Sequence, residues 1–431
     1  MQNCKISNYP GLIFLVIVLL TINIGQVKGV PSYARQTGLS CAACHFSFPE
    51  LNSFGREFKM NGYALPNSST LEGKADRNGK LTGSLPLSAS IQSSFTNISK
   101  DIPKVQNNSV ALPQQLSLFY AGQVTPHIGT FIQMSYDGHK FGMDNIDIRY
   151  SDHASILNKK IVYGVTLNNN PTVQDVWNNL PAWRFPQASS DASNTPAKSA
   201  VIENLGSQVA GLGGYMLFNN FIFTEVTVYR SAQQGSFVNP SNSQSTMVVD
   251  GVAPYWRLAL QHQWGKNYAE LGTFGFAPKI YASGITGYLK KFTDLGVDLQ
   301  YEHNFNFGAT TIHASFIQEK EIREVTKVLS NSLNFNSYKF DANLYMKNGI
   351  GVTAGFFYSE GSVDSKVISW SNKPDSFGYI GQLEYLPWNN TKIALQYVLY
   401  EKFDGTIWNY DSKKRTAADN NSLCMMVWLN F

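Results

Sequence analysis

The sequence predicts an all-β chain, a transmembrane barrel of about sixteen strands behind a short N-terminal helical segment. Three observations carry this. From about residue 81 apolar and polar residues alternate with period two. Short and long connections alternate along the same stretch. The composition is rich in aromatics (13%), poor in charge (15%) and contains 34 glycines, which suits a large β structure with polar loops better than a helical bundle.

The alternation is explicit in several segments. Ile146, Ile148 and Tyr150 alternate with Asp147 and Arg149. Leu295, Val297, Leu299 and Tyr301 alternate with Gly296, Asp298 and Gln300, and Phe340, Ala342, Leu344 and Met346 with Asp341, Asn343 and Tyr345. Lipid outside and water inside impose this pattern on a barrel strand. Segments of this kind centre near residues 90, 119, 132, 147, 164, 212, 225, 259, 271, 297, 312, 341, 354, 381, 396 and 427.

Tight turns are expected at 124–127, 219–221, 264–267, 303–306, 347–349 and 387–390. Long polar loops are expected near 97–113, 170–204, 231–253, 278–290, 320–335, 360–376 and 402–421. In outer-membrane barrels the short turns face the periplasm. Two connections break the rhythm: 137–143 is short for an outer loop and 151–159 long for a turn. A soluble chain of several sandwiches would also alternate, but its cores do not require this loop rhythm. At the C-terminus Leu423, Met425, Val427, Leu429 and Phe431 form one apolar face, which resembles the signal read by bacterial outer-membrane assembly machinery. Cys424 falls on the opposite, lumenal face and reads as a small buried filler.

The first 29 residues read as a signal peptide, with Lys5 ahead of an apolar core from Leu12 to Leu20 and small residues near Gly29. Cys4 leaves with it, so Cys41, Cys44 and Cys424 remain. A net charge of +4 does not suggest a nucleic-acid partner. No apolar run of the length of a membrane helix follows the signal. Three parts result: 1–29 for export, 30–80 as a small cofactor-bearing segment and 81–431 as the barrel.

Residues 30–80 carry the chemistry. Cys41-Ala42-Ala43-Cys44-His45 is a C-x-x-C-H motif, the attachment signature of one covalent haem c. Two thiols at this spacing reach the two porphyrin vinyl groups, and the next residue presents an imidazole to the iron. The competing reading is a reduced C-x-x-C pair serving zinc or thiol exchange, which fits an exported chain less well. Residues 47–62 read as one helix, with Ser47 as N-cap, Pro49 just inside and Gly62 at the left-handed end. Its Leu51, Phe54 and Phe58 face the porphyrin. So short a segment cannot cover a haem alone, so it is expected to dock within or against the periplasmic mouth of the barrel.

Together, the stretch 30–45, the stretch 54–63 and the following barrel resemble the fused outer-membrane cytochrome–porins of iron-oxidising bacteria. The match is most specific at Ala34-Arg35-Gln36-Thr37-Gly38. The resemblance implies a haem plug on a pore of about sixteen strands, with Cys41 and Cys44 as thioether ligands and His45 as the proximal iron ligand. It also implies electron transfer from an extracellular donor, ferrous iron, to a periplasmic cytochrome or other carrier. Lumenal Asp147, Asp298 and Asp341 would then attract Fe²⁺, or simply line the pore.

Two residues are candidates for the sixth iron ligand. Met60 follows His45 by one short helix but falls opposite Leu51, Phe54 and Phe58. His127 sits at a periplasmic turn with lumenal parity. Met134 shares the lipid-facing parity of Ile132 and Tyr136. The loop at 170–186, with its aromatics and prolines, either folds into the lumen over the haem or forms a rigid surface loop. Two other functions remain open: a substrate-specific porin with a structural or sensory haem, and a haem peroxidase-like enzyme.

Overall fold

The computed structural model describes residues 31–65, 86–101, 107–136, 138, 141–177, 193, 195–232, 247–283, 286–324, 330–366 and 370–431. Among the described residues three short helices come first: α1 (Ser32–Thr37), α2 (Cys41–Cys44) and α3 (Ser53–Met60). Antiparallel strands follow, from Leu87–Ile98 to Ser422–Asn430, each paired with its sequence neighbour. The first strand also pairs with the last, Ile91 opposite Leu429 and Phe95 opposite Met425, which closes the barrel. Seventeen strand segments make sixteen staves, because Asn267–Phe276 and Lys279–Ser283 both lie along Thr286–Asn304. Closure leaves no edge with unpaired N–H and C=O groups in lipid.

Every sequence-derived strand centre falls inside a stave, and the expected tight turns join them. The connection expected to be long at 151–159 is also tight. Phe141–Ile156 meets Lys159–Asn168 through Leu157 and Asn158, both at positive φ. Three expected loops are shorter than the sequence suggests, since strands continue through them at 108–113, 286–290 and 320–324. Beyond the bilayer both faces of a hairpin are wet, so the polar–apolar alternation that marks a strand fades there.

The two faces separate as the period requires. Leu295, Val297 and Leu299 are exposed outward, while Asp294, Asp298 and Gln300 are fully buried inward. An apolar outer face on a closed barrel of this size belongs in a bacterial outer membrane. Cys424 is inward and buried, with the Thr96 hydroxyl donating to its sulfur at 3.6 Å.

The N-terminal segment occupies the lumen at the tight-turn end. The Ser32 hydroxyl donates to the Ala121 carbonyl at 2.6 Å and the Tyr33 hydroxyl to that of Thr130 at 2.6 Å. On the far side, Lys392 Nζ donates to the Phe48 carbonyl at 2.8 Å, and Phe48 meets Trp428 edge to face. The segment therefore spans the bore.

Val297 lies outward near the middle of its stave. Replacing it with Arg places a charge on the lipid face, at a cost of about 2–4 kcal/mol near the bilayer midplane. A lowered denaturant midpoint for refolding into bilayers is the expected result, and an unchanged midpoint would remove Val297 from the lipid-facing surface.

Candidate functional site

The chain around the C-x-x-C-H motif folds back on itself. His45 bridges to Leu51 as an isolated antiparallel pair, and the turn between them is closed by the Glu50 N–H donating to the Ser47 carbonyl at 2.8 Å. The expected helix over 47–62 therefore begins later, at Ser53. Its N-cap is Asn52, whose side chain accepts from the Gly55 N–H at 3.0 Å, while Ser47 and Pro49 belong to the turn. Gly62 does end the segment at φ +68°. Gly55 sits so close to the Cys44 carbonyl that a Cβ there would overlap it, which is why α3 can lie directly on α2.

This turn fixes His45. Its Nδ1 lies 3.2 Å from both the Pro49 and Glu50 carbonyl oxygens, so Nδ1–H donates to backbone and Nε2 keeps its lone pair. A metal-bound histidine is held in the same way by its second nitrogen. Burial pushes the ring's pKa down, which favours the neutral form that ligates.

Cys41, Cys44 and His45 border one cavity, with about 1130 Å³ of empty space partly open to solvent. Leu51, Phe54 and Phe58 of the plug line it, the two phenylalanines from one face of α3 and Leu51 from the turn before it. The barrel wall contributes Phe131, and the loop after Lys159–Asn168 contributes Thr172, Val173 and Asp175. Tyr33, Lys59 and Tyr63 also line it and were not singled out by sequence. Each lies next to or within a picked element, but only the tertiary fold turns it inward.

The donor set fits a covalently attached haem. Burial, with Cys41 alongside, pushes the Cys44 thiol up to about 11, and burial raises Cys41 as well. Thiol-exchange motifs instead depress the pKa of their attacking cysteine. Among the described residues no three His, Cys, Asp or Glu side chains converge on a metal-ion site.

The two residues offered as distal ligand lie elsewhere. Met60 is buried on the opposite side of α3, against the wall cluster of Val162, Trp177, Tyr215 and Tyr268, and its carbonyl accepts from the Tyr215 hydroxyl at 2.7 Å. His127 is half exposed, near Asp152 and the outward ring of Tyr150. It takes the outward side because the turn residue is not bound by the parity of the strand that follows. The aspartates are committed. Asp147 accepts from Arg149 and Tyr63, Asp298 pairs with Arg257 at 2.7 Å, and Asp341 pairs with His313 at 2.9 Å. They are structural lining.

Residues 171–177 enter the lumen, with Val176 and Trp177 fully buried and the Trp177 indole donating to the Tyr268 hydroxyl at 2.6 Å. The aromatic stretch 183–186 lies outside the described residues. Further polar contacts seat the plug: Arg56 pairs with Glu302, both buried, and its guanidinium stacks on Tyr268 at 4.2 Å. Glu50 accepts from the Tyr345 hydroxyl at 2.6 Å and lies 3.5 Å from His313.

No family model and no curated protein matches this chain. Solved structures with matching folds include three outer-membrane proteins. The channel DcaP of Acinetobacter baumannii is 10% identical, covers 83% of this chain and 99% of its own, with a TM-score of 0.48. OmpT of Vibrio cholerae in its trimer form is 9% identical over 80% of this chain and 98% of its own, at 0.45. The anion-selective porin of Comamonas acidovorans is 13% identical over 80% and 98%, at 0.44.

Replacing Arg56 with Met leaves Glu302 buried without its cation, at a cost of about 3–5 kcal/mol to plug docking. Limited proteolysis should then remove residues 31–65 from a barrel that still migrates as folded in unheated gels. Adding Glu302→Gln should restore much of the protection, and an unprotected double variant with a protected single one would deny the pairing.

Proposed function

We propose that this outer-membrane barrel is a c-type cytochrome–porin. In this reading it holds one covalent haem c through Cys41, Cys44 and His45. Electrons pass from an extracellular donor, ferrous iron, to a periplasmic cytochrome or similar carrier. The observation that carries the proposal is the convergence, on one apolar cavity inside the barrel, of two thiols and an imidazole already locked by backbone.

When bound, the haem supplies one-electron redox chemistry. The chain's own groups hold and enclose it. Cys41 and Cys44 supply the two sulfurs, and the carbonyls of Pro49 and Glu50 hold the His45 ring with Nε2 free. Leu51, Phe54, Phe58, Phe131 and Val173 give the cavity an apolar lining, which raises the weight of burial in setting a potential. The cavity lies at the tight-turn end, the periplasmic end of such barrels, which favours a periplasmic acceptor.

A second reading is a substrate-specific porin with a structural or sensory haem. A separate lumenal cavity, with about 1600 Å³ of empty space, favours it: Lys198, Glu203, Ser337, Lys339 and Tyr400 give it the mixed polar and aromatic lining of a solute site.

Mass spectrometry of the full-length protein from a maturation-competent host should show one haem linked through Cys41 and Cys44, with linkage lost in the Cys41→Ala/Cys44→Ala variant. Anaerobic addition of ferrous iron should then reduce the haem in wild type. Attached haem that ferrous iron leaves oxidised, together with solute-selective conductance in planar bilayers, would favour the porin. A chain without attached haem would end the cytochrome reading.

A further inference from the structure

We infer that Lys59 supplies the sixth ligand to the haem iron; the inference rests on the proposal that Cys41, Cys44 and His45 hold that haem. The argument begins with which side chains are available. Axial haem ligands other than the proximal histidine are most often a second histidine or a methionine. Among the described residues neither type lines the cavity.

The remaining histidines are placed by the fold. His127, His153 and His262 are exposed on the outer face or at turns. His303 alternates with the buried, inward Glu302 and packs its ring at a tilt against Phe305 near a periplasmic turn. His313 is inward but held between Asp341 and Glu50. His139 lies outside the described residues.

The methionines are equally committed. Met60, Met247 and Met426 each belong to a different apolar cluster away from the cavity. Met134, Met216, Met346 and Met425 share the outward parity of their strands, and Met143, beyond a register shift, lies opposite the outward Met134.

Among the described residues, four cavity-lining side chains besides His45 and the two thiols offer iron a nitrogen or an ionisable oxygen. Tyr33 and Tyr63 each donate their hydroxyl, to the Thr130 carbonyl and to Asp147, and burial raises both phenols well above their usual range. Neither forms a phenolate readily. Asp175 lies 3.7 Å from the Arg257 guanidinium and accepts from the Trp177 N–H at 3.0 Å. Lys59 is the fourth. Its Nζ donates to the Val173 carbonyl, a bond that a neutral amine makes equally well while its lone pair stays available. Burial pushes its pKa down to about 8, so the neutral form is within reach near physiological pH.

The structure also explains the placement. Lys59 follows Phe58 on α3, so it reaches the same cavity, whereas Met60 is carried another 100° round to the wall.

Near-infrared absorption and electron paramagnetic resonance of the oxidised full-length protein test this, with Lys59→Ala, Lys59→Met and Lys59→Arg. Wild type should be low-spin with two nitrogen ligands. Lys59→Ala should lose that signature, become high-spin and regain a low-spin form on adding imidazole. Lys59→Met should replace it with a methionine–iron charge-transfer band. Lys59→Arg keeps the charge and the donor to Val173 but cannot ligate, so it should also be high-spin; this variant decides if Lys59→Ala fails to assemble. A high-spin wild type, or a wild-type spectrum in Lys59→Ala or Lys59→Arg, overturns the assignment and leaves the haem reading standing. A wild type with no thioether-linked haem by mass overturns both.

Discussion

The segment carrying Cys41, Cys44 and His45 is too short to enclose a cavity by itself, so its buried side has to be the inward face of the barrel wall. The internal architecture follows from that shortage. The wall supplies Phe131 to the cavity and carbonyls at Ala121 and Thr130 to α1. Gly129 is part of the same adjustment: a Cβ there would overlap the Gly62 carbonyl, so the stave can approach the plug only without a side chain. The loop at 171–177 then closes the side that neither plug nor stave covers.

A barrel interior built for water has polar residues to spare, and the plug is fastened by them. Arg56 meets Glu302, Glu50 meets His313 and Tyr345, and Lys392 reaches both Glu384 and the Phe48 carbonyl. A buried ion pair adds little net stability over apolar residues of the same shape, but breaking it is costly. Pairs spread round the bore therefore penalise any rotated or shifted seating of the plug. They select one orientation, and that orientation sets which side of α3 faces the cavity.

The barrel was legible because its period of two is imposed on every stave by lipid on one side and polar lumen on the other. Ile146, Val297 and Leu423 announce their strands locally. Strand lengths were less legible, since the tips at 286–290 and 320–324 leave the bilayer and lose the alternation. In the plug, the C-x-x-C-H spacing placed Cys41, Cys44 and His45 at one cavity, and helical spacing put Phe54 and Phe58 beside them, while Leu51 arrives there from the turn before the helix. The start of α3 was misread, because Ser47 and Pro49 serve a tight turn as readily as a helix N-terminus. The orientation of His127 depended on turn geometry that parity does not govern. Val173 and Asp175 reach the cavity through a loop fold that no local pattern specifies.

The turn from His45 to Leu51 links the two scales. It reverses the chain within a few residues, so the backbone carbonyls of Pro49 and Glu50 meet the His45 ring while the Glu50 side chain meets the barrel. One residue thus holds the imidazole through its main chain and the wall through its carboxylate. Any displacement of the plug that separates Glu50 from Tyr345 and His313 also moves the carbonyl that orients His45. On the proposed reading, the geometry at the iron is set by docking to the barrel as well as by the motif. The attachment signature alone specifies where the sulfurs and the imidazole fall in sequence, and the barrel specifies how the imidazole is presented.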